Sequence, residues 1–249
     1  NPRTPVSEPA RLYGRNPVMC ALRAGKRPAR KLYYLAGAKG LDPLLQAAQG
    51  IAHQACDRNR LDRTAQGGAH QGVVLEAGPL PTPSINEWLD HHAVDGVVVV
   101  LDELEDPHNF GAIVRSAAGF GARAVVFGRD RAAPLSAAAA KAAAGAMETI
   151  DLVQGGNLAR GVRQLRQAGY WTTALTMERA EPLWYTDLRG ATALVVGNEG
   201  RGVRKIVLDQ CDKRVRIPMS GAVESLNASV SAAVVLAECA RQRGPGSSR

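Results

Sequence analysis

The chain has 249 residues, of which 45% are hydrophobic and 4% aromatic, and its formal net charge is +8. No apolar run reaches the roughly 20 residues that span a bilayer, and residues 1–5 lack the core of a signal peptide. The four cysteines are scattered and form no Cys-x-x-Cys pair, so the sequence suggests neither a disulfide framework nor a zinc site. We therefore expect a globular cytoplasmic protein, with an organellar matrix as the alternative location, folded as one large or two modest domains.

The positive charge is concentrated in the first third of the chain. Residues 11–78 contain 11 lysines or arginines and 4 aspartates or glutamates, a net charge of +7, whereas the chain from residue 79 onward carries +1. Cationic side chains gain affinity for nucleic acid by releasing counterions from its phosphates. This distribution favours a phosphate-binding module joined to a near-neutral body, and a solvated basic surface is the alternative interpretation.

The first third alternates segments typical of helices and strands. A tail over residues 1–10 precedes them. The predicted elements are a helix ending at Gly25, a strand over 31–35, a helix over 42–52 and a strand over 72–76. Together they predict a small α/β domain over residues 11–78. The proline-rich stretch that follows predicts a linker over 79–94 that holds at most one helical turn.

Residues 95–243 form a longer series of alternating strands and helices, and a tail over 244–249 follows them. The predicted strands cover 97–101, 124–127, 149–153, 171–175, 193–196 and 214–217, and the predicted helices cover 111–119, 135–146, 158–168 and 226–240. The apolar strands are typical of strands that are buried on both faces of a sheet. The pattern predicts an α/β fold with a parallel sheet and helices on both faces.

Two turns rich in glycine or bounded by proline follow the strands 193–196 and 214–217. Ligands of open α/β sheets bind outside the carboxyl ends of strands, so these turns predict a ligand site. The glycine spacing in 197–202 matches neither the dinucleotide fingerprint nor a phosphate loop, and Glu199 is unfavourable beside bound phosphates. A solvent-exposed turn is the alternative interpretation.

Asn109 and Arg115 are predicted to lie in the loop after the strand 97–101 and in the second turn of the next helix. An arginine there can clamp a phosphate, and an asparagine can fix a hydroxyl group. An exposed helical arginine beside an Asx turn explains the same spacing without a site. His108 and the pair at 91–92 have no third ligand at a suitable spacing, so no metal site is predicted.

Three segments carry a family resemblance. They are Asp106-Pro-His-Asn-Phe-Gly-Ala-Ile-Val-Arg-Ser-Ala117, Leu194-Val-Val-Gly-Asn-Glu-Gly-Arg-Gly202, and the run from Ile217 to Val230 that contains Glu224-Ser-Leu-Asn-Ala-Ser. In this order they resemble the three motifs of the TrmH-type SPOUT RNA ribose 2′-O-methyltransferases. Residues 13–17 and 69–72 resemble the additional RNA-binding domain, similar to ribosomal protein L30e, of the ribosomal-RNA branch.

The resemblance implies a trefoil-knotted sheet that binds S-adenosylmethionine, and a homodimer whose site is completed across the interface. By position, Gly197, Ile217 and Leu226 hold the cofactor through backbone groups. The implied catalytic set is Arg115, Asn109, Glu199, Ser225 and Asn227. Within that set, Arg115 and Asn109 face the ribose and the other three shape the site.

The implied activity is S-adenosylmethionine-dependent 2′-O-methylation of a guanosine in large-subunit ribosomal RNA. That RNA is expected to contact the basic residues of 11–78 and the surface near Arg115. Methylation of transfer RNA by the same machinery is an alternative, although the transfer-RNA branch usually lacks the additional basic domain. A non-catalytic RNA-binding or assembly protein of the same fold is the third possibility.

Overall fold

The computed structural model describes residues 10–128, 135–221 and 225–244, and the chain divides into two compact units, Asn1–Pro81 and Thr82–Arg249. The predicted tails lie outside the described residues, except for Ala10 and Gly244. Glu224 of the third motif also lies outside them. Within the described ranges no helix is long and apolar enough to cross a bilayer.

The first unit is a four-stranded sheet covered by helices. Its elements are β1 (Ala10–Tyr13), α1 (Arg15–Ala24), β2 (Ala29–Leu35), α2 (Asp42–Ala47), β3 (Ala52–Cys56), α3 (Arg58–Thr64) and β4 (Val73–Ala77). The strand order is β1-β4-β2-β3; β4 is antiparallel to both of its neighbours and β3 is parallel to β2. Side chains alternate across the sheet, so Leu32 and Leu75 pack with α1 and α2 while Tyr33 and Val74 pack with Leu61 of α3.

The prediction of a helix over residues 42–52 is wrong for the second half of that range. Helix α2 ends at Ala47, and β3 begins at Ala52 as a parallel partner of β2. β3 is an edge strand whose residues are largely exposed, so it lacks the apolar alternation that identifies a half-buried strand.

The second unit holds the remaining elements. They are α4 (Ile85–Leu89), β5 (Val97–Leu101), α5 (Pro107–Gly119), β6 (Ala124–Gly128), α6 (Ala137–Ala143), β7 (Asp151–Gly156), α7 (Leu158–Ala168), β8 (Trp171–Leu175), β9 (Glu181–Pro182), β10 (Thr192–Val196), α8 (Lys205–Leu208), β11 (Lys213–Arg216) and α9 (Ala228–Arg243), with 3₁₀ turns at Ala146–Glu148 and Leu183–Tyr185. The sheet has seven strands in the order β7-β6-β5-β10-β8-β11-β9, and every described pairing in it is parallel.

Helices cover both faces of the seven-stranded sheet. Val98 and Val126 pack with Val162 of α7 on one face. On the other face the ring of Phe110 in α5 meets the ring of Phe127 edge-on at a centroid distance of 5.8 Å. The predicted α/β class, with a parallel sheet between two helical layers, is confirmed.

The alanine-rich helix is shorter than the predicted span 135–146, because Ala144 adopts a left-handed conformation (φ 50°) that ends α6. The close packing expected of this helix is present. A Cβ atom on Gly111 of α5 would lie 2.6 Å from the Cβ of Ala142, well inside van der Waals contact. Small residues on both helices therefore let α5 and α6 approach closely.

Part of the segment predicted as the linker 79–94 packs inside the second unit. Ser84 and Glu87 form a capping box that starts α4. Trp88 of this helix is 2% exposed, lies in the core with α7, and donates a hydrogen bond from its indole nitrogen to Asp151 (3.0 Å). The amphipathic signal in this helix is only five residues long, too short to identify from periodicity.

The four cysteines all lie in the described part of the chain, and none of them forms a disulfide. Burial raises the pKa of the Cys211 thiol to about 12 and that of the Cys239 thiol to about 11. These two thiols stay protonated at neutral pH and serve as small apolar side chains, since the thiolate is the nucleophilic form.

Replacing Trp88 by alanine is expected to destabilise the second unit by about 3–5 kcal/mol, because a large buried side chain and its hydrogen bond are lost. Urea unfolding of the full chain measures the change. Trp184→Ala is the matched control, since Trp184 is 51% exposed and its loss should cost about 1 kcal/mol or less. Equal effects of the two substitutions would show that residues 82–94 are a linker after all.

Candidate functional site

The turn after β10 is closed by its own backbone. The amide of Gly202 donates to the carbonyl of Asn198 (2.8 Å), and the amide of Asn198 donates back to the carbonyl of Gly202 (3.2 Å). A Cβ atom on Gly197 would overlap the carbonyl group of Gly202 and the backbone nitrogen of Val203. Position 197 therefore accepts only glycine, for a reason internal to the turn.

An ion pair with a fully buried carboxylate fixes this turn to the end of the neighbouring strand β5. The Asp102 carboxylate is fully buried and accepts hydrogen bonds from Nε (2.9 Å), Nη2 (2.6 Å) and the backbone nitrogen (2.8 Å) of Arg204. Hydrogen bonding to Asp102 raises the pKa of the Arg204 guanidinium. Glu103 adopts φ 52°, and its carboxylate lies 3.0 Å from Nη1 of Arg204. Its backbone carbonyl accepts a hydrogen bond from the side-chain amide of Asn198 (3.2 Å). The two neighbouring strand ends are thereby linked by charge and by hydrogen bonds.

A cavity of about 330 Å³ lies at the carboxyl ends of β8, β10 and β11. Its walls include five predicted site residues: Gly197, Glu199, Ile217, Ser225 and Leu226. The two turns identified in the sequence thus meet at one cavity, as expected for an open parallel sheet.

Further residues in the cavity wall were not identified from the sequence. They include Leu175, Thr176 and Met177 at the end of β8, Arg216, and Ser231 in α9. Leu175 is the last residue of a predicted strand, so its place at the sheet edge could have been predicted from the sequence. Ser231 is brought to the cavity by the tertiary arrangement of α9, which no local pattern reveals.

Three predicted polar residues form one hydrogen-bonded chain beside the cavity. The side-chain amide of Asn109 donates to the Glu199 carboxylate, and the amide of Asn227 donates to Oδ1 of Asn109 (3.0 Å). Oδ1 of Asn227 in turn accepts the backbone amide of Ser229 (2.9 Å) and caps α9. These contacts join the first turn of α5, the glycine turn and the start of α9.

The predicted loop position of Asn109 is wrong, because α5 begins at Pro107. Asp106 caps this helix by accepting the amide of His108 (2.9 Å), and proline is favoured in the first turn. Arg115 consequently lies in the third turn of α5. Six residues rotate the helix by about 240°, so Arg115 and Asn109 point in different directions.

Arg115 does not line the cavity of its own chain. It is exposed, and it makes no hydrogen bond or ion pair with any residue that the structure describes. The structure thus unites Asn109, Glu199 and Asn227 and leaves Arg115 apart from them. In the described part of the chain, no group of three or more His, Cys, Asp or Glu residues could hold a metal ion.

We expect Gly197→Ala to weaken binding of S-adenosylmethionine, the ligand implied for this cavity, by about tenfold to hundredfold. The reason is that the turn must deform at a cost on the order of 1–3 kcal/mol. Calorimetric titration of the purified protein measures the affinity. Gly200→Ala is the matched control in the same turn: a Cβ there meets nothing closer than Oδ1 of Asn198 at 3.6 Å. Unchanged affinity in the Gly197 variant would mean that this turn does not shape the binding site.

Two family models together match most of the chain. Residues 96–237 match the SpoU rRNA Methylase family, and residues 11–83 match the model for RNA 2′-O ribose methyltransferase substrate binding. Their boundary agrees with the division between the two structural units.

Individual proteins align over nearly the whole chain. It is 40% identical over 240 residues to an uncharacterized tRNA/rRNA methyltransferase of Mycolicibacterium vanbaalenii, covering 93% of this chain and 76% of the relative. It is 37% identical over 241 residues to the 23S rRNA (guanosine-2′-O-)-methyltransferase RlmB of Vibrio vulnificus, covering 93% of this chain and 96% of the relative.

A solved structure has the same fold. The SpoU methyltransferase AviRb from Streptomyces viridochromogenes, in complex with AdoMet, aligns with a TM-score of 0.78 over 95% of this chain and 91% of that one, at 23% identity. The likeness in fold agrees with the sequence matches, and the family resemblance predicted from the three motifs is confirmed. The chain belongs to the SpoU rRNA methylase family.

Proposed function

We propose that this protein transfers a methyl group from S-adenosylmethionine to the ribose 2′-hydroxyl of a guanosine in 23S ribosomal RNA. The observation that carries the proposal is the alignment of both units with the Vibrio vulnificus 23S rRNA enzyme over 93% of this chain. The cavity at the sheet edge and the polar chain beside it supply a site of suitable chemistry.

The cavity suits the cofactor. Its volume of about 330 Å³ lies in the range of small-molecule sites. Leu175, Val196, Ile217 and Leu226 supply apolar surface for an adenine ring, while the glycine turn supplies backbone donors and acceptors. Bound S-adenosylmethionine supplies an electrophilic methyl group. AdoMet is present in the related AviRb structure.

Asn109, Glu199 and Asn227 act as one positioning unit in this proposal. The hydrogen bonds fix Glu199 at the cavity wall and anchor Asn109 to the capped start of α9. Gly197, Ile217 and Leu226 contribute backbone groups to cofactor binding, and Ser225 lies in the same wall. Rigid placement of polar groups at a reacting centre lowers the barrier because no reorganisation is needed during the reaction.

Arg115 is assigned to the RNA substrate. A ribose hydroxyl is a poor nucleophile and must lose its proton as it attacks. Arginine is an awkward base because its pKa exceeds about 12, whereas its planar guanidinium binds phosphate and oxyanions strongly. We therefore assign Arg115 to phosphate binding and to stabilisation of the developing oxyanion.

The two alternatives are less well supported. The name of the Mycolicibacterium vanbaalenii relative includes tRNA as well as rRNA, but residues 11–83 match a dedicated substrate-binding model, and the transfer-RNA branch usually lacks the additional domain. A non-catalytic role does not account for the hydrogen-bonded set of Asn109, Glu199 and Asn227 beside the cavity.

We also propose a homodimer formed through α5 and α9. An apolar groove of about 420 Å³ between these helices is lined by Ala112, Ser116, Val230, Ala233 and Val234, and Val230 is 48% exposed. Small residues in the groove allow a second pair of helices to pack closely. A two-fold interface here would bring Arg115 of one protomer to the cavity of its partner.

The proposed setting of this dimer is the cytoplasm, where ribosomal RNA is modified in bacteria. We propose in addition that the C-terminal segment containing Ile217 and Leu226 is threaded through a loop to form the trefoil knot implied by the family resemblance. Knots are rare in proteins, and strand order alone does not require one here.

Arg115→Ala is expected to lower methyl transfer about hundredfold to thousandfold, because one group that stabilises transition-state charge is removed. Affinity for S-adenosylmethionine should stay unchanged. Transfer of a labelled methyl group to unmodified 23S rRNA, followed by mapping of 2′-O-methyl sites, measures the activity. Arg163→Ala is the matched control, since Arg163 is an exposed arginine on α7. Methylation of transfer RNA alone by the unaltered protein would contradict the proposed substrate.

Mixed dimers test whether Arg115 acts across the interface. Arg115→Ala protein and Gly197→Trp protein, whose indole leaves no room for the turn or the cofactor, are each expected to be inactive alone, and they are unfolded together and refolded. If Arg115 acts in trans, each heterodimer contains one intact site, and random pairing restores about a quarter of the wild-type activity. If Arg115 acts in cis, no site is intact and the mixture shows no methyl transfer. Exchange of subunits is verified with two different affinity tags.

A further inference from the structure

A second polar cavity, of about 440 Å³, lies in the first unit at the carboxyl end of β2. Leu35 of β2, Arg15 at the start of α1, Arg58 at the start of α3, and the loop residues 68–72 line it. Its size is in the range of specific ligand sites. No part of this cavity belongs to the catalytic site described above.

The loop that forms one wall is held rigidly. Gln71 is not glycine, yet it adopts a left-handed conformation (φ 49°). Its side-chain oxygen accepts the backbone amide of Arg15 (3.1 Å), and its carbonyl accepts Nε of Arg15 (3.3 Å). Nη2 of Arg15 is bonded to the carbonyl of Lys39 (2.9 Å), which leaves Nη1 for a ligand. Strained, over-determined backbone of this kind is concentrated at functional sites.

His70 secures the other side of the loop. It is 6% exposed; its Nδ1 accepts the amide of Gly72 (2.9 Å), and its Nε2 lies 2.9 Å from Oδ1 of Asp62. Because Nδ1 accepts, the ring proton lies on Nε2 and is donated to Asp62. The one carboxylate of the cavity is therefore already hydrogen-bonded.

The cations of the cavity remain available. Arg58 is exposed and makes no side-chain hydrogen bond or ion pair with the described residues. Arg15 contacts only neutral backbone and amide groups. Two guanidinium groups thus face a cavity that contains one carboxylate, within a unit whose residues 11–78 carry a net charge of +7. This balance favours an anionic ligand, and phosphate is the anion that guanidinium groups recognise best.

We propose that this cavity receives one unpaired RNA nucleotide, with its phosphate on Arg58 and Arg15 and its base against Leu35, Ala38 and Ala69. The inference rests on the proposed function, since RNA is the expected substrate. A concave cavity cannot accept a base that is stacked inside a duplex, whereas nucleotides in loops and bulges are splayed out and recognised individually. The first unit therefore selects single-stranded positions in folded RNA.

The test compares two RNA probes, a hairpin with a single-stranded loop and a fully paired duplex of equal length. Ala69→Trp fills the cavity from an exposed position in its wall. The control is Ala52→Trp, also exposed, at the opposite end of the unit's sheet, where Ala52 pairs with Lys31. We expect Ala69→Trp to weaken hairpin binding at least about tenfold and to leave duplex binding and S-adenosylmethionine affinity unchanged. Equal hairpin affinity in the two variants would overturn the proposal.

A second pair of variants keeps the test decisive if Ala69→Trp fails to fold. Arg58→Ala should reduce the slope of log affinity against log salt by about 0.7 for the hairpin, the amount expected for one lost contact to single-stranded phosphate. Arg163→Ala removes an exposed arginine on α7, outside the basic residues of 11–78, and should leave the slope unchanged. An equal loss for hairpin and duplex would indicate a duplex-binding surface and refute the nucleotide site. Failure of the unaltered protein to methylate rRNA would instead count against the proposed function.

Discussion

The ion pair between the fully buried Asp102 carboxylate and Arg204 is the constraint on which the candidate site depends. A carboxylate with no solvent exposure is costly unless it is fully hydrogen-bonded, and Asp102 accepts three hydrogen bonds from Arg204 alone. Loss of Arg204 would leave the Asp102 charge buried without a partner, which typically costs about 3–5 kcal/mol. The pair therefore fixes the chain after β10 to the end of β5, and the glycine turn has one possible position between them.

That position determines what Glu199 can reach. The turn is closed by the Asn198–Gly202 hydrogen bonds and tied to Glu103 through the Asn198 side chain. Glu199 then meets Asn109, which is itself held by Asn227 at the start of α9. Segments separated by about a hundred residues in sequence are joined by short polar contacts, and a displacement of the turn would break its contacts with Asn109 and Glu103 together.

The predictions that succeeded rest on local patterns. The apolar runs of β5 and β10, and the turns after β10 and β11, identified the sheet edge, whereas the five cavity residues were assigned through the family resemblance. Long-range pairings were not visible: Arg204 lies far from Asp102 in sequence, and nothing local distinguishes it from other surface arginines. Edge strand β3 lacked an apolar pattern, and the position of Asn109 was missed because the Asp106-Pro107 helix start was not recognised.

The motifs predicted which residues form the site, but they did not predict in which directions those side chains point. Six residues separate Asn109 from Arg115, and helical geometry alone places them about 120° apart around α5. One chain cannot easily direct both at the same ribose. This conflict disappears if the arginine serves a neighbouring protomer, which is why the exposed Arg115 and the apolar α5–α9 groove support one proposal.

The two units also differ in what they contribute to RNA recognition. The chain from residue 79 onward carries a net charge of only +1, and Glu103 and Glu199 lie at the edge of the candidate site. Such a surface attracts RNA weakly, so most of the electrostatic affinity must come from the first unit. Because Arg15 and Arg58 of that unit line a cavity, the proposed nucleotide site makes its affinity depend on RNA shape as well as charge. A methyltransferase built this way has its target chosen by one unit, while the other needs only to accept a ribose.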